Sequence, residues 1–229
     1  MSSEEATSES PAIPIFHSFT RTSLMTEVLR GLALDHAVDL TRTGDLWLFR
    51  GPSAADHAIR MMTNAPVNHV GMAIVLDDLP PLMWHAELGC FLRDVWTNSH
   101  HGGVQLHVLS DAVGQWTGRY RQRAWFRQLD AEVTDEMEQA LLRVVDQMDG
   151  APFPTQWKLM GSLVPQRIRR EVAEQRSCVE AVTAAYTAMG LLPDDFRIKP
   201  YDPGRYWSGD SLELVGNARL GPELPVGTP

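Results

Sequence analysis

Two apolar runs, Asn68 to Leu76 and Leu82 to Glu87, are separated only by Asp77-Asp78-Leu79-Pro80-Pro81. A connection so rich in turn residues favours an antiparallel hairpin, and this pair constrains the fold more than any other stretch. Three further segments read as strands. Gly44 to Arg50 is short, apolar and bounded by glycines, and Val104 to Leu109 and Arg123 to Leu129 have similar length and character.

The remaining chain carries helical signals. Leu24, Val28, Leu29, Leu32 and Ala33 recur at helical spacing between Thr22 and Val38. Ser53 can cap a helix running to about Met62, and Ser110 to Gly118 has room for a short one. Thr134 to Met148 is the clearest helix: Met137, Leu141, Val144, Val145 and Met148 mark one face, and Gly150 follows where a C-terminal cap belongs. The last helix is expected from Ser177 to Met189, ending at Gly190. Several strands followed by helices predict an α+β fold with an antiparallel sheet rather than alternating βαβ units.

The chain has 229 residues, enough for one domain with a sizeable core. Residues 1 to 14, rich in Ser and Glu, and the Gly- and Pro-rich stretch from 216 to 229 are expected to be loose tails around a domain spanning 15 to 215. A net charge of -9 opposes nucleic acid and anionic membranes as partners. Charges interrupt every apolar stretch, so no stable membrane insertion is expected. Without a basic start or an apolar leader, the expected location is the cytoplasm, where the two cysteines, Cys90 and Cys178, remain thiols.

One of these thiols has a chemical setting. Ser177 and Glu180 have the spacing of a capping box, which predicts Ser177 as N-cap and Cys178 in the first helical turn. There the free N–H groups and the helix dipole would favour a thiolate, although a small buried hydrophobe is the commoner fate of a free cysteine. A nucleophile needs a base, and His69 opens the run Val70-Gly71-Met72-Ala73-Ile74-Val75 at a strand end. Side chains alternate along strands, so His85 or Glu87 can lie on the same face as His69 and orient its ring.

Several of these residues together resemble a known family. Gly44-Asp45-Leu46, Asn68-His69-Val70-Gly71-Met72, His85-Ala86, Gly103 to Val108 with Asp111-Ala112-Val113, and Cys178 with Glu180 resemble the permuted NlpC/P60 papain-like peptidases. Within them the likeness is to the YiiX/YaeF-like amidases, and it covers about Gly44 to Leu192. It implies a circularly permuted papain-like fold, with the histidine strand before the cysteine helix. It also implies Cys178 as nucleophile, His69 as base and His85 as the polar third residue, where members often carry Glu. Asp45 would line the site or hold its loop, and Asn68 belongs to the binding residues. Val179, where Ser is common, and Pro152-Phe153-Pro154 depart from the family pattern and bear on substrate contacts.

The implied activity is a cysteine hydrolase acting on an amide bond. A lipid acyl hydrolase or acyltransferase of the same fold is the alternative, and a catalytically silent ligand-binding module is a third reading. The expected partner is a small-molecule, peptide or lipid-like acyl substrate. No Gly-rich phosphate loop implies a nucleotide cofactor. His100, His101, Cys90 and His107 have irregular spacing that fits no metal motif, so no metal site is expected. The basic runs Arg167 to Arg170 and Arg119 to Arg123 read as solvated helix faces. Tyr201 to Trp207 reads as a packed C-terminal strap.

Overall fold

A computed structural model describes residues 31–153, 166–196, 203–208 and 212–227. In chain order the elements are β1 (Leu32–Ala33), α1 (Leu34–Asp39), β2 (Leu46–Arg50), α2 (Ala54–Thr63), β3 (His69–Ile74), β4 (Leu82–Glu87) and β5 (Gly103–Val108). There follow α3 (Leu109–Gly114), a π-helical turn (Gln115–Arg119), β6 (Arg123–Arg127), β7 (Leu129–Asp130), α4 (Asp135–Met148), α5 (Gln166–Ala188), a 3-10 turn (Pro203–Tyr206), β8 (Arg219–Leu220) and β9 (Leu224–Gly227).

Seven strands form one sheet in the order β1-β9-β6-β2-β3-β4-β5, antiparallel throughout except for the β1–β9 pair, while β7 and β8 pair separately. The fold is therefore α+β, and the β3–β4 hairpin forms in the register Met72↔Trp84, Ala73↔Met83. Alternation sends successive side chains to opposite faces. Leu46, Leu48, Val70, Met72, Trp84 and Leu106 pack with Leu141 and Val145 of α4 and with Cys178, Val182 and Ala185 of α5. Trp47, Phe49, Ala73 and Met83 pack on the other side with Ala37 of α1, Ala112 and Val113 of α3, and Trp116.

Local chemistry sets two helix starts. Ser53 Oγ accepts from Asp56 N while the Asp56 carboxylate accepts from Ser53 N, closing a capping box on α2. Thr134 caps α4, and Gly150 takes a left-handed φ of 72° just after it.

Four expectations are corrected. The first helix begins only at Leu34, because Leu32 and Ala33 pair with Val226 and Gly227 as a strand; residues 22–30 and the expected tail 1–14 lie outside the described residues. The expected C-terminal tail is not loose where it is described: β9 sits between β1 and β6, with Leu224 and Val226 on the inner face. Its Pro and Gly content hid this two-residue alternation. The segment Arg123 to Leu129 divides into β6 and β7. Lastly, the cysteine helix starts far upstream of Ser177, since residues such as Glu171, Ala173, Glu174, Gln175 and Arg176 are strong helix formers. Glu180 does not close a box there; it accepts from Arg176 Nε at 2.6 Å, an i,i+4 pair.

The expected strap is present where described. Tyr206 is fully buried with its hydroxyl 2.9 Å from Thr183 Oγ1 of α5, its carbonyl accepts from Arg127, and Trp207 packs edge-on against Trp125.

Candidate functional site

A cleft of about 710 Å³ opens where β3 begins and β4 ends. Its walls come from Asp56 at the start of α2, Asn68 and His69 where β3 begins, Glu87 to Phe91 at and after the end of β4, and Trp116, Arg119 and Tyr120 in and just after the π turn. Glu174 and Gln175 of α5 complete it, and Glu174 Oε1 accepts from Leu88 N at 2.9 Å, tying the helix to the end of β4.

His69 is the buried titratable group nearest the expected chemistry. Its ring stacks on Trp116 at 3.9 Å between centroids, a contact that the π turn makes by swinging Trp116 over β3. Its Nε2 lies 3.2 Å from His85 Nδ1. Gly71 makes this approach possible, since a Cβ there would meet Met83 Cγ and Sδ at 2.8 Å and His85 Cβ at 3.4 Å. The row continues: His85 Nε2 lies 2.9 Å from His107 Nδ1, and Glu87 Oε2 is 4.0 Å from the same nitrogen. Glu87 Oε1 accepts from Tyr120 OH at 2.8 Å. His69, His85, Gln105, His107 and Glu87 are all at least nine-tenths buried.

Burial sets the charge states. It lowers His69 from 6.5 to about 3 and His107 to about 4, and drives His85 well below its ordinary value, with His107 and His69 adding repulsion. Burial also raises Glu87, against the donation from Tyr120. Each histidine is therefore a neutral ring with one donor and one acceptor nitrogen at neutral pH. Three neutral rings in a row can all point their N–H groups one way or all the other. In the first case His69 Nε2–H donates towards His85 and leaves Nδ1 as a free acceptor; in the second, Nδ1 carries the proton.

Cys178 occupies a different environment. It is fully buried in the interior of α5, within the apolar cluster on the opposite face of the sheet, and its thiol donates to Gln175 O at 3.1 Å. Burial pushes the thiol well above its usual range, against the N–H groups of Val70 and Val179 and with Glu174 adding to the rise. The expected first-turn position and lowered thiol pKa are thus corrected, for the physical reason that α5 begins well upstream of Ser177 and burial outweighs what the nearby N–H groups contribute. Gln175 lines the cleft, so Cys178 lies one turn behind its wall.

The other named residues are structural or peripheral. Asp45 pins its loop by accepting from Arg42 N at 2.8 Å and Leu129 N at 2.7 Å, and burial raises it from 3.8 to about 6 despite those bonds. Asn68 accepts from Gly51 N at 2.7 Å and donates to Asp56 Oδ1 at 3.0 Å, which fixes one wall of the cleft. Cys90 is exposed on the opposite wall. Sequence reasoning missed the roles of His107, Tyr120 and Trp116. The irregular spacing of His107 from His100, His101 and Cys90 carries no signal, whereas the β4–β5 register sets Met83 opposite it and so makes His85 its diagonal neighbour on the same face. Among the described residues no helix is long and apolar enough to cross a membrane.

No family model and no curated protein matches the chain. Among solved structures it is similar to the crystal structure of metalloprotein YiiX from Escherichia coli O157:H7, described as DUF1105, with 18% identity, 64% of each chain covered and a TM-score of 0.41. The match thus spans less than two thirds of that protein's length.

Proposed function

We propose that the protein is a cysteine-dependent hydrolase of acyl compounds, amides first, with the permuted papain-like arrangement that its motifs resemble. The observation that carries the reading is His69 at the cleft wall with Nε2 engaged by His85 and Nδ1 without a partner, a neutral imidazole able to exchange a proton with a bound substrate. The proposed nucleophile is Cys178. For it to act, the α5 turn containing Gln175 must open and the thiol must come round the start of β3 to the cleft face where His69 stands; the opening would leave Ser177 as N-cap and Glu180 at N3 of a shortened helix. The thiol would then have the free N–H groups that the long helix denies it.

In the proposed reaction the sulfur attacks the substrate carbonyl while its proton passes to His69. The imidazole returns that proton to the departing amine, leaving a thioester on Cys178. Water attacks the thioester, releases the acid and restores the thiol; a lipid or other hydroxyl acceptor in place of water would make the reaction an acyl transfer. The test is turnover of acyl anilides and thioesters by wild type, Cys178→Ser and His69→Ala. Loss of turnover in both variants, with folding retained, supports the reading, and turnover surviving in Cys178→Ser removes it.

A second reading has its own observation. The fully buried thiol bonded to Gln175 suits a silent binding module that uses the cleft without covalent chemistry. Equilibrium ligand binding without turnover, equal in wild type and Cys178→Ser, would favour it.

A further inference from the structure

We propose that His85, Glu87 and His107 form a binding site for one divalent transition-metal ion of the zinc class. One ligand atom from each of these residues lies within 4.8 Å of the others. His85 Nε2 and His107 Nδ1 face each other at 2.9 Å, and Glu87 Oε2 stands 4.0 Å from His107 Nδ1. Tetrahedral ligands bonded at 2.0–2.1 Å are separated by about 3.3 Å, a value these distances bracket, so side-chain shifts under an ångström suffice.

A second observation is independent of the spacing. Glu87 Oε2 is buried and has no hydrogen-bond partner, although Oε1 of the same carboxylate accepts from Tyr120. A bare carboxylate oxygen at this depth is unfavourable, and a cation between it and the two imidazoles removes the deficit. The outer atoms of two of the three ligands are held as metal ligands require, while His107 Nε2 is buried without a partner. His85 Nδ1 is held by His69 Nε2 and Glu87 Oε1 by Tyr120, which orients the inner atoms. Two imidazoles and one carboxylate suit zinc, cobalt, nickel or ferrous ions, whereas magnesium and calcium favour all-oxygen sites. Three protein ligands leave room for water or substrate.

Occupancy has a consequence for His69. The ion takes the lone pair of His85 Nε2, so His85 donates from Nδ1 to His69 Nε2, and His69 must hold its proton on Nδ1. That tautomer is a donor at Nδ1, not a base. Metal binding therefore sets His69 and His85 as in the second orientation of the metal-free row, moves the His107 proton to Nε2 because Nδ1 is a ligand, and opposes the base role proposed above. The site stands on residues other than Cys178, and its test needs no turnover.

Chelator-treated full-length protein is titrated with Co²⁺, read by visible ligand-field absorption and by calorimetry, and then challenged with Zn²⁺. The expected result is one ion per chain, displaced by zinc, with affinity lowered at least about 10-fold in Glu87→Gln and in His107→Gln. Cys178→Ser should bind as wild type does. Asp94, His101 and Asp149 are a second group of possible ligands, so His101→Gln is the control and should also bind normally. Nitrogen-15 shifts of His69 should report the Nδ1–H tautomer once zinc is added. Absence of binding, affinity unchanged in both Glu87→Gln and His107→Gln, or loss in His101→Gln instead would overturn the proposal. Circular dichroism of each variant identifies unfolding, and Glu87→Gln, nearly isosteric, serves if His107→Gln fails to fold.

Discussion

The two faces of the sheet carry different chemistry. On the α4–α5 face the inward residues are almost wholly apolar, from Leu46 and Met72 to Trp84 and Leu106, and Cys178 lies among them as one more small buried side chain. On the other face, the ends of β3, β4 and β5 replace apolar residues with His69, His85, Gln105, His107 and Glu87. The first face is held by packing and tolerates little change of volume. The second depends on proton placement, since every ring and carboxylate must find a partner or remain deficient. Both faces pack apolar side chains, but the row of buried polar strand residues belongs to the second.

The largest effect should come from the packed face. Trp84 is fully buried with its indole N–H 3.3 Å from Ala181 O, and Trp84→Ala should cost about 3–5 kcal/mol in denaturant unfolding. Equal costs for Trp84→Ala and His85→Ala would erase the distinction between the faces. His85→Ala leaves His69 Nε2 and His107 Nδ1 without their partner and should cost about 1–3 kcal/mol.

Acid should act through the histidine face. The unfolded chain protonates its histidines near 6.5, whereas folded His69 and His107 resist until about 3 and about 4. The unfolded state then holds more protons, so these groups withdraw stability as pH falls from 6.5 towards 4. Asp149 and Asp45, raised to about 7 and about 6, act in the opposite sense, and the effect must be read as a difference. Wild type should lose more stability than His107→Gln between pH 7 and pH 5 in paired denaturant titrations. Parallel losses would show that His107 does not titrate as its burial demands.

Thiol labelling sharpens the contrast further. Exposed Cys90 should react with iodoacetamide readily, and Cys178 only as fast as the α5 turn opens. Mass spectrometry resolves the two, and rapid labelling of Cys178 in the folded protein would show that the helix opens often. The smallest effect belongs to the half-exposed pair on α5: Glu180→Ala should cost about 0.3–0.5 kcal/mol through loss of the ion pair with Arg176, and less in high salt.

Legibility followed the range of the interaction. Ser53 and Thr134 announced their helices because a cap depends on residues three or four positions away. The hairpin was legible from its turn, and strand parity offered His85 or Glu87 to the face of His69 without choosing between them. Ser177 misled for the same local reason: a capping-box spacing is also met inside a helix, and the upstream segment kept the helix intact. The tail misled because β9 acquires its meaning only from β1 and β6.

By itself the sequence determined the α+β class, the antiparallel hairpin and two helix starts, and narrowed the partner of His69 to His85 or Glu87, all consequences of short-range periodicity and backbone chemistry. Only the tertiary structure decided that His107 joins His85, that Glu87 brings a bare carboxylate oxygen to the pair, and that Cys178 lies behind the cleft rather than in it. Those facts depend on strand register and on which sheet face a helix covers. Both are set by packing between segments far apart in the chain, which no local spacing encodes.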